Sequence, residues 1–311
     1  MLYEYAVEPC SLAEWKDFRY LMEGVGISHG RLISQFPKDW QRKVFDACTA
    51  FTFVQKQQLQ IELERVKRQA LIRSNRNYDG SLPWVDNAIN QQKTEKPFHA
   101  VIVKDAVGRA DYIVGIDDLS GTNPLWKTRR EDKIYRTPVA LGEAIRQLLS
   151  MSSRILFVDK MYHPAESRWQ ETLIYFIKLA SEGRTPPVFE YHSEIDIESL
   201  GRPAEQRRQE YQEVCNRLLR PQLPENTSIH LHRWTKWNDN SDFFHARYIL
   251  TEKGGARIDW GLDAGRPGQK TDVTLLDDDI WAETWDLFQV DAEGKQKSND
   301  FQWIDMVTVR G

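Results

Sequence analysis

The longest uninterrupted pattern in the chain lies between Lys38 and Arg73. No Gly or Pro breaks it, and Val44, Cys48, Phe51, Leu59, Leu63, Val66 and Ala70 recur close to a 3.6-residue period. The pattern predicts one helix of roughly 35 residues, about 50 Å long at 1.5 Å per residue. Its second half, QKQQLQIELERVKRQALIR, carries only a narrow apolar stripe. Such a stripe suits packing on a partner chain, or folding back onto its own domain.

The first forty residues read as short helices, with Ser11 and Glu14 spaced as a capping box before LAEWKDFRYLM. Residues 74–97 read as a loop with a helix after Pro83. Strands are predicted at Phe98–Val103 and Ala110–Ile116, with a turn over Asp105–Arg109, and 117–136 reads as loop. From Thr137-Pro138 the rhythm changes. A helix at 139–150 leads into the apolar run ILFV, which ends in Asp159-Lys160. Helix 169–180, strand 188–192, helix 204–219, strand 228–234 and a hairpin over 245–260 follow. Alternating strands and helices closed by a hairpin give an α/β class. We expect a mostly helical N-terminal region with a long helix over residues 1–136, and a mixed-sheet α/β domain over 137–311.

Composition changes this picture little. At 311 residues and net charge −4, the chain has no bulk attraction for nucleic acid or anionic membrane, so such binding needs a local basic patch. Cys10, Cys48 and Cys215 lack metal-site spacing and suit buried thiols in a reducing compartment. With no apolar run of membrane-spanning length, a cytoplasmic protein without a membrane span is expected. Asp277-Asp278-Asp279 reads as the cap of a following helix, not a metal site. The eleven Trp are spread along the chain and suit core use, with base stacking open to one or two of them.

The candidate chemistry lies in DFFHARYILTEKGGARIDWGLD, Asp242 to Asp263. If His245 to Leu250 is a strand, His245 and Arg247 share one face. A hairpin turning at Gly254-Gly255 then returns Asp263 to the same sheet end. Imidazole, guanidinium and carboxylate would converge on a phosphate-sized pocket. His163, in the loop after ILFVDK, falls at the sheet end where open α/β folds collect ligands. His230 and His232 share one strand face and read as a packed or hydrogen-bonded pair.

ILFVDKMYHP, the helix after it, and FHARYILTEKGGARIDWGLD together resemble the phospholipase D superfamily, in particular its divergent single-copy domains. Similar domains occur at the C-terminus of MIT-domain proteins and in prokaryotic defence genes. The family signature is His-x-Lys-x4-Asp, then Gly-Ser-x-Asn. Here His245 stands at the His, Arg247 at the Lys and Glu252 at the Asp, with Gly261-Leu262-Asp263 near the return segment. The resemblance covers residues ~137–310. It implies a metal-independent phosphodiesterase without cofactor, acting on nucleic acid in an antiviral defence or mobile-element system. His245 would be the nucleophile, Arg247 the phosphate clamp and Glu252 the orienting acid, with Arg247, Asp263 and His163 around the phosphate. One motif per chain implies a homodimer to supply the second histidine. The alternatives are a non-catalytic phosphate-binding module, or a scaffold subunit whose helix at 38–73 docks a partner protein.

Overall fold

The computed structural model describes residues 1–73, 75–106, 108, 110–195, 197–236 and 245–311. Asp242–Phe244 of the hairpin stretch, and Val107 and Arg109 of the expected turn, lie outside the described residues. The chain divides into two compact units, Met1–Arg130 and Glu131–Gly311. The protein is α/β, and each unit carries its own sheet.

The first unit holds strands β1 (Tyr3–Val7), β2 (Arg31–Ser34), β3 (Leu71–Ile72), β4 (Ala100–Val103) and β5 (Ile113–Gly115). They lie in the order β3-β2-β1-β4-β5, every pair parallel. The helices are α1 (Trp15–Gly24), α2 (Trp40–Ala47), α3 (Phe53–Gln69) and α4 (Trp84–Gln92). This region is therefore not mostly helical. β1 and β2 are short strands whose few apolar residues cannot be told from helix by period, yet Tyr5, Ala6, Val7, Leu32 and Ile33 are fully buried.

The expected 35-residue helix is two helices. Cys48 N donates back to Val44 O and Phe45 O, closing α2. Thr52 then starts α3 with a capping box: Gln55 N donates to Thr52 Oγ1 at 3.3 Å, and Thr52 N donates to Gln55 Oε1 at 2.8 Å. Every residue of the apolar stripe is buried, in the core of its own unit. The surface that was to meet a partner chain is thus already covered. Phe53, Val54 and Ile61 stay exposed on α3.

The second unit runs β6 (Glu131–Tyr135), α5 (Pro138–Ser150), β7 (Arg154–Val158), α6 (Ser167–Ser181), β8 (Val188–Glu194), α7 (Ile197–Leu200), α8 (Ala204–Leu218), β9 (Ser228–Thr235), β10 (Arg247–Thr251), β11 (Gly254–Ile258), β12 (Lys270–Leu275), α9 (Asp278–Leu287) and β13 (Gln302–Arg310). The sheet order is β13-β9-β8-β7-β10-β11-β12-β6. β7, β8 and β9 are parallel neighbours joined through helices, and every other pair is antiparallel. Residues 131–135, expected as loop, form the edge strand β6 because every second side chain can stay in water there. The division accordingly falls before Glu131.

Alternation along β7 builds two cores. Leu156 and Val158 join Trp234, Leu250, Phe288 and Phe301 on one face. Phe157 stacks on Phe176 of α6 and on Phe189 of β8 on the other. Because β10 and β12 run against β7, the ends of β6, β7, β8, β9 and β11 and the starts of β10, β12 and β13 share one sheet edge. That edge collects the candidate chemistry.

Candidate functional site

Asp159, the first residue beyond β7, anchors this edge and is 1% exposed. Its Oδ2 accepts hydrogen bonds from Leu262 N at 2.9 Å and from Trp169 Nε1 at 3.4 Å. Its Oδ1 accepts from Met161 N at 3.1 Å and faces Arg247 Nε at 3.7 Å. The next residue, Lys160, brings its Nζ to 3.0 Å from Nδ1 of the exposed His245. Arg247 Nη1 donates to the His245 carbonyl at 2.8 Å, which ties guanidinium and imidazole to one backbone. An ammonium, an imidazole and a guanidinium thus stand together at the start of β10.

The ring geometry has a consequence. A charged ammonium only donates, so Lys160 holds the lone pair of His245 on Nδ1 and the hydrogen on Nε2. In that tautomer His245 offers a donor from Nε2, as Lys160 and Arg247 do from theirs. The three groups are arranged to receive an anion.

A second cationic set lies beside it. Asp263, 2% exposed, pairs with Arg136 and with Arg168, whose Nη1 is 3.1 Å from Oδ2. Arg136 follows β6 and Arg168 opens α6. Their carbonyls accept from Gly265 N and Ala264 N, so the loop after Asp263 is pinned to both. The loop and the two arginines, with Arg266 and Gln269, enclose a cleft of about 370 Å³. Gly261 joins the two sets: its φ is +143°, and a Cβ there would meet Asp263 Oδ1 at 2.5 Å, Arg136 Nη2 at 3.2 Å and Asp159 Oδ2 at 3.3 Å. Only glycine fits that crossing.

Beneath the site Tyr191 packs on Tyr162 with ring centroids 3.9 Å apart. Burial, with Asp159 and Asp263 nearby, pushes the Tyr191 hydroxyl well above the usual phenol range, so it stays protonated.

The predicted residues are thus partly assembled. His245, Arg247 and Asp263 share the edge, with Asp263 holding arginines instead of meeting an anion itself. His163 is exposed in the loop after β7, its Nδ1 accepting from Ala165 N at 3.2 Å, and no hydrogen bond links it to His245 or Arg247 among the described residues. Glu252 is a correction. It occupies the β10–β11 turn, at the other end of a five-residue strand and so about 17 Å along the sheet. There it accepts from Ser153 N at 2.8 Å and Arg154 N at 3.1 Å, fixing the start of β7. It cannot orient His245. Lys160, Asp159, Arg136 and Arg168 were missed as site residues. The rule that ligands collect beyond strand C-termini pointed to the first two, whereas Arg136 sat in a segment read as loop.

A different cluster fills the opposite face of the same sheet. Glu190, His192 and His232 place ligand-type atoms within 4.8 Å of one another, all buried. Trp234 Nε1 donates to His192 Nδ1 at 3.1 Å, and Trp303 Nε1 donates to His232 Nδ1 at 3.2 Å. Indole only donates, so each Nε2 carries the hydrogen. These lie 3.3 and 3.7 Å from Glu190 Oε2. Arg154 grips the same carboxylate through Nε at 2.6 Å and Nη2 at 3.0 Å. Burial pushes His232 down to about 3 and lowers His192, while for the Glu190 carboxyl burial acts upward and is outweighed by His192, Arg154 and His232, which hold it far below its ordinary range. Both rings are neutral with the hydrogen on Nε2, so the trio does not suit a metal ion, which needs those Nε2 lone pairs. His230 shares their strand face, with Nδ1 2.9 Å from Thr308 Oγ1.

Among the described residues no helix is long and apolar enough to cross a membrane. No protein-family model and no curated protein matches the chain. Among solved structures, the chain is similar to TrmBL2, an archaeal chromatin protein described with a novel mode of DNA binding. The likeness has 12% identity over 51% of this chain, and the chain spans 50% of that protein's length. Its TM-score of 0.25 is too low to carry an argument about fold or function.

Proposed function

We propose that the sheet edge carrying Lys160, His245 and Arg247 binds a phosphodiester of nucleic acid. The observation that carries this reading is the Lys160–His245 contact of 3.0 Å beside Arg247, three donors on one exposed spot. Five cations, Arg136, Lys160, Arg168, Arg247 and Arg266, stand against three carboxylates in this set, the buried Asp159 and Asp263 and the exposed Glu166 paired with Arg168, so the set is cationic although the whole chain is at −4. Arg247 stands at the lysine position of the phospholipase D signature, and Lys160, just beyond the end of the neighbouring strand β7, supplies an ammonium beside it.

Turnover is the second reading, and the exposed ring of His245 favours it. For attack on phosphorus, Lys160 must leave Nδ1 for a phosphate oxygen, freeing the ring to carry its hydrogen on Nδ1 and its lone pair on Nε2. A second histidine must then protonate the leaving oxygen, from His163 or from His245 of a second copy in a homodimer.

The test is oligonucleotide binding and cleavage in EDTA by the wild type, Arg247→Ala and His245→Ala. Binding should fall at least tenfold in Arg247→Ala. Unchanged affinity in both variants would remove the site. Metal-free cleavage abolished by His245→Ala would establish the second reading, and cleavage surviving that change would exclude it.

A further inference from the structure

The same edge carries more than a single phosphate requires. Large apolar side chains exposed on the second unit, among the described residues, include two aromatic ones: Tyr135 at 55% and Trp260 at 65%. Both lie on this edge. Tyr135 ends β6 and is the cross-strand partner of Lys270, whose Nζ sits 4.9 Å from the ring centroid. Trp260 follows β11, and its N–H donates to Thr271 Oγ1 at 3.3 Å, so it flanks β12 on the other side. The two aromatic residues bracket the start of β12 beside the Arg136–Arg168 cleft.

That cleft sets three guanidiniums against the buried Asp263 and against Glu166, which pairs with Arg168 at 2.8 Å on the exposed side. Arg136 keeps its side chain nine-tenths buried, and its Nε has no hydrogen-bond partner among the described residues. Gly265 lets the loop close on it, since a Cβ there would meet Arg136 Cβ and Cδ at 3.0 Å. Arg266 stands exposed on the rim with no carboxylate paired to it among the described residues. Gly261 sets this cleft against the Asp159–Arg247 pair, so the two cationic sets are neighbours.

We infer that this edge is a path for single-stranded nucleic acid, with backbone phosphates on Arg247 and on the Arg136–Arg168–Arg266 cleft and bases on Tyr135 and Trp260. The inference rests on the phosphate reading above and deepens it to a polymer with exposed bases. A cationic track interleaved with exposed rings serves a single strand, whose bases are free to stack, and gains nothing from a duplex, whose bases are already stacked. A lone phosphate would use the arginines without the aromatic pair.

The experiment compares the full chain with Tyr135→Ala/Trp260→Ala, Arg266→Glu and Arg247→Ala. All three of the flanking positions, 135, 260 and 266, are exposed, and thermal melting checks each fold. The probes are a labelled single-stranded oligonucleotide, the duplex of the same sequence, inorganic phosphate, and vesicles of phosphatidylcholine with phosphatidylserine. The wild type should prefer the single strand to the duplex. The aromatic double variant should bind the single strand more than tenfold more weakly and inorganic phosphate unchanged. Arg266→Glu should flatten the salt dependence of single-strand binding by about 0.7 in log–log slope, one phosphate contact. Equal binding of duplex and single strand, or vesicle binding as the one interaction that the aromatic change removes, overturns the path. Loss of phosphate binding in Arg247→Ala with an unaltered aromatic variant also overturns it, leaving the phosphate site in place. Single-strand binding lost in the aromatic variant but kept in Arg247→Ala supports the path and removes Arg247 as its anchor.

Discussion

The two faces of the second sheet use the same side chains to opposite ends. On the face beneath α9, Glu190, His192 and His232 are buried with Arg154 half-buried beside them, and two indoles hold the imidazole Nδ1 atoms while both Nε2 atoms face one carboxylate. At the strand ends, Lys160, His245 and Arg247 stand half-buried or exposed and present donors to open solvent. Counting residue types would rank the first cluster higher as a metal or catalytic site, with two histidines and an acid in contact. Hydrogen-bond direction reverses that ranking. A closed network stabilises and specifies the sheet, while surplus donors over buried carboxylates can receive a ligand.

The largest effect expected from this contrast is on stability. Glu190→Ala removes the carboxylate that Arg154 grips and that both imidazole N–H groups face, and with Arg154 part-exposed and still held by Gln289 should cost about 2–4 kcal/mol in urea unfolding. A loss below about 1 kcal/mol would mean the cluster is open to water and the contrast is false. Oligonucleotide affinity of the folded variant should not change.

Gly261→Ala works at the other region. At φ +143° with Asp263 Oδ1 2.5 Å from the new methyl, it should destabilise by about 1–3 kcal/mol and also weaken phosphate binding. Wild-type affinity in this variant would show that the two cationic sets are not coupled through the Gly261 turn.

A smaller and graded effect comes from pH. His232 titrates near 3 when folded, against an ordinary value near 6.5, because burial disfavours its charged form. Between those values the unfolded chain binds the extra proton, so stability is complete above about pH 6.5 and falls as pH drops, by about 1.4 kcal/mol per pH unit for one such histidine. His192 shifts in the same direction. The depressed Glu190 carboxyl adds its own loss only below the ordinary carboxylate range. Unfolding midpoints flat from about pH 6.5 to 4.5 would contradict the buried, neutral reading.

Much of the second unit was legible in the sequence because its elements carry strong local signals. ILFV is a continuous apolar run, helix α5 has Thr137 at its cap and Pro138 behind it, and the hairpin turn at Gly254-Gly255 follows β10, although that strand begins at Arg247 and His245 precedes it. The Thr52–Gln55 capping box that splits the long helix was equally visible in the sequence, but a continuous apolar stripe masked it. β6 and β13 were not legible, since edge strands alternate with polar residues and take their partners from far along the chain. The site was half legible for the same reason. Nearness in sequence puts His245 beside Arg247, joined by a hydrogen bond to the His245 carbonyl instead of by strand alternation, and only sheet order brings Lys160 and Arg136 beside them. Sheet direction also sends Glu252 to the far end, whereas the family resemblance implies a place beside His245.

The most direct measurement is histidine side-chain 15N NMR of the full chain, titrated with a short single-stranded oligonucleotide in EDTA. The central claim is that the strand ends receive the ligand while the buried cluster stays closed. The His245 ring nitrogens should therefore shift progressively to saturation, with those of His192 and His232 unmoved. Shifts at His192 and His232, or a His245 signal indifferent to saturating oligonucleotide, would contradict it.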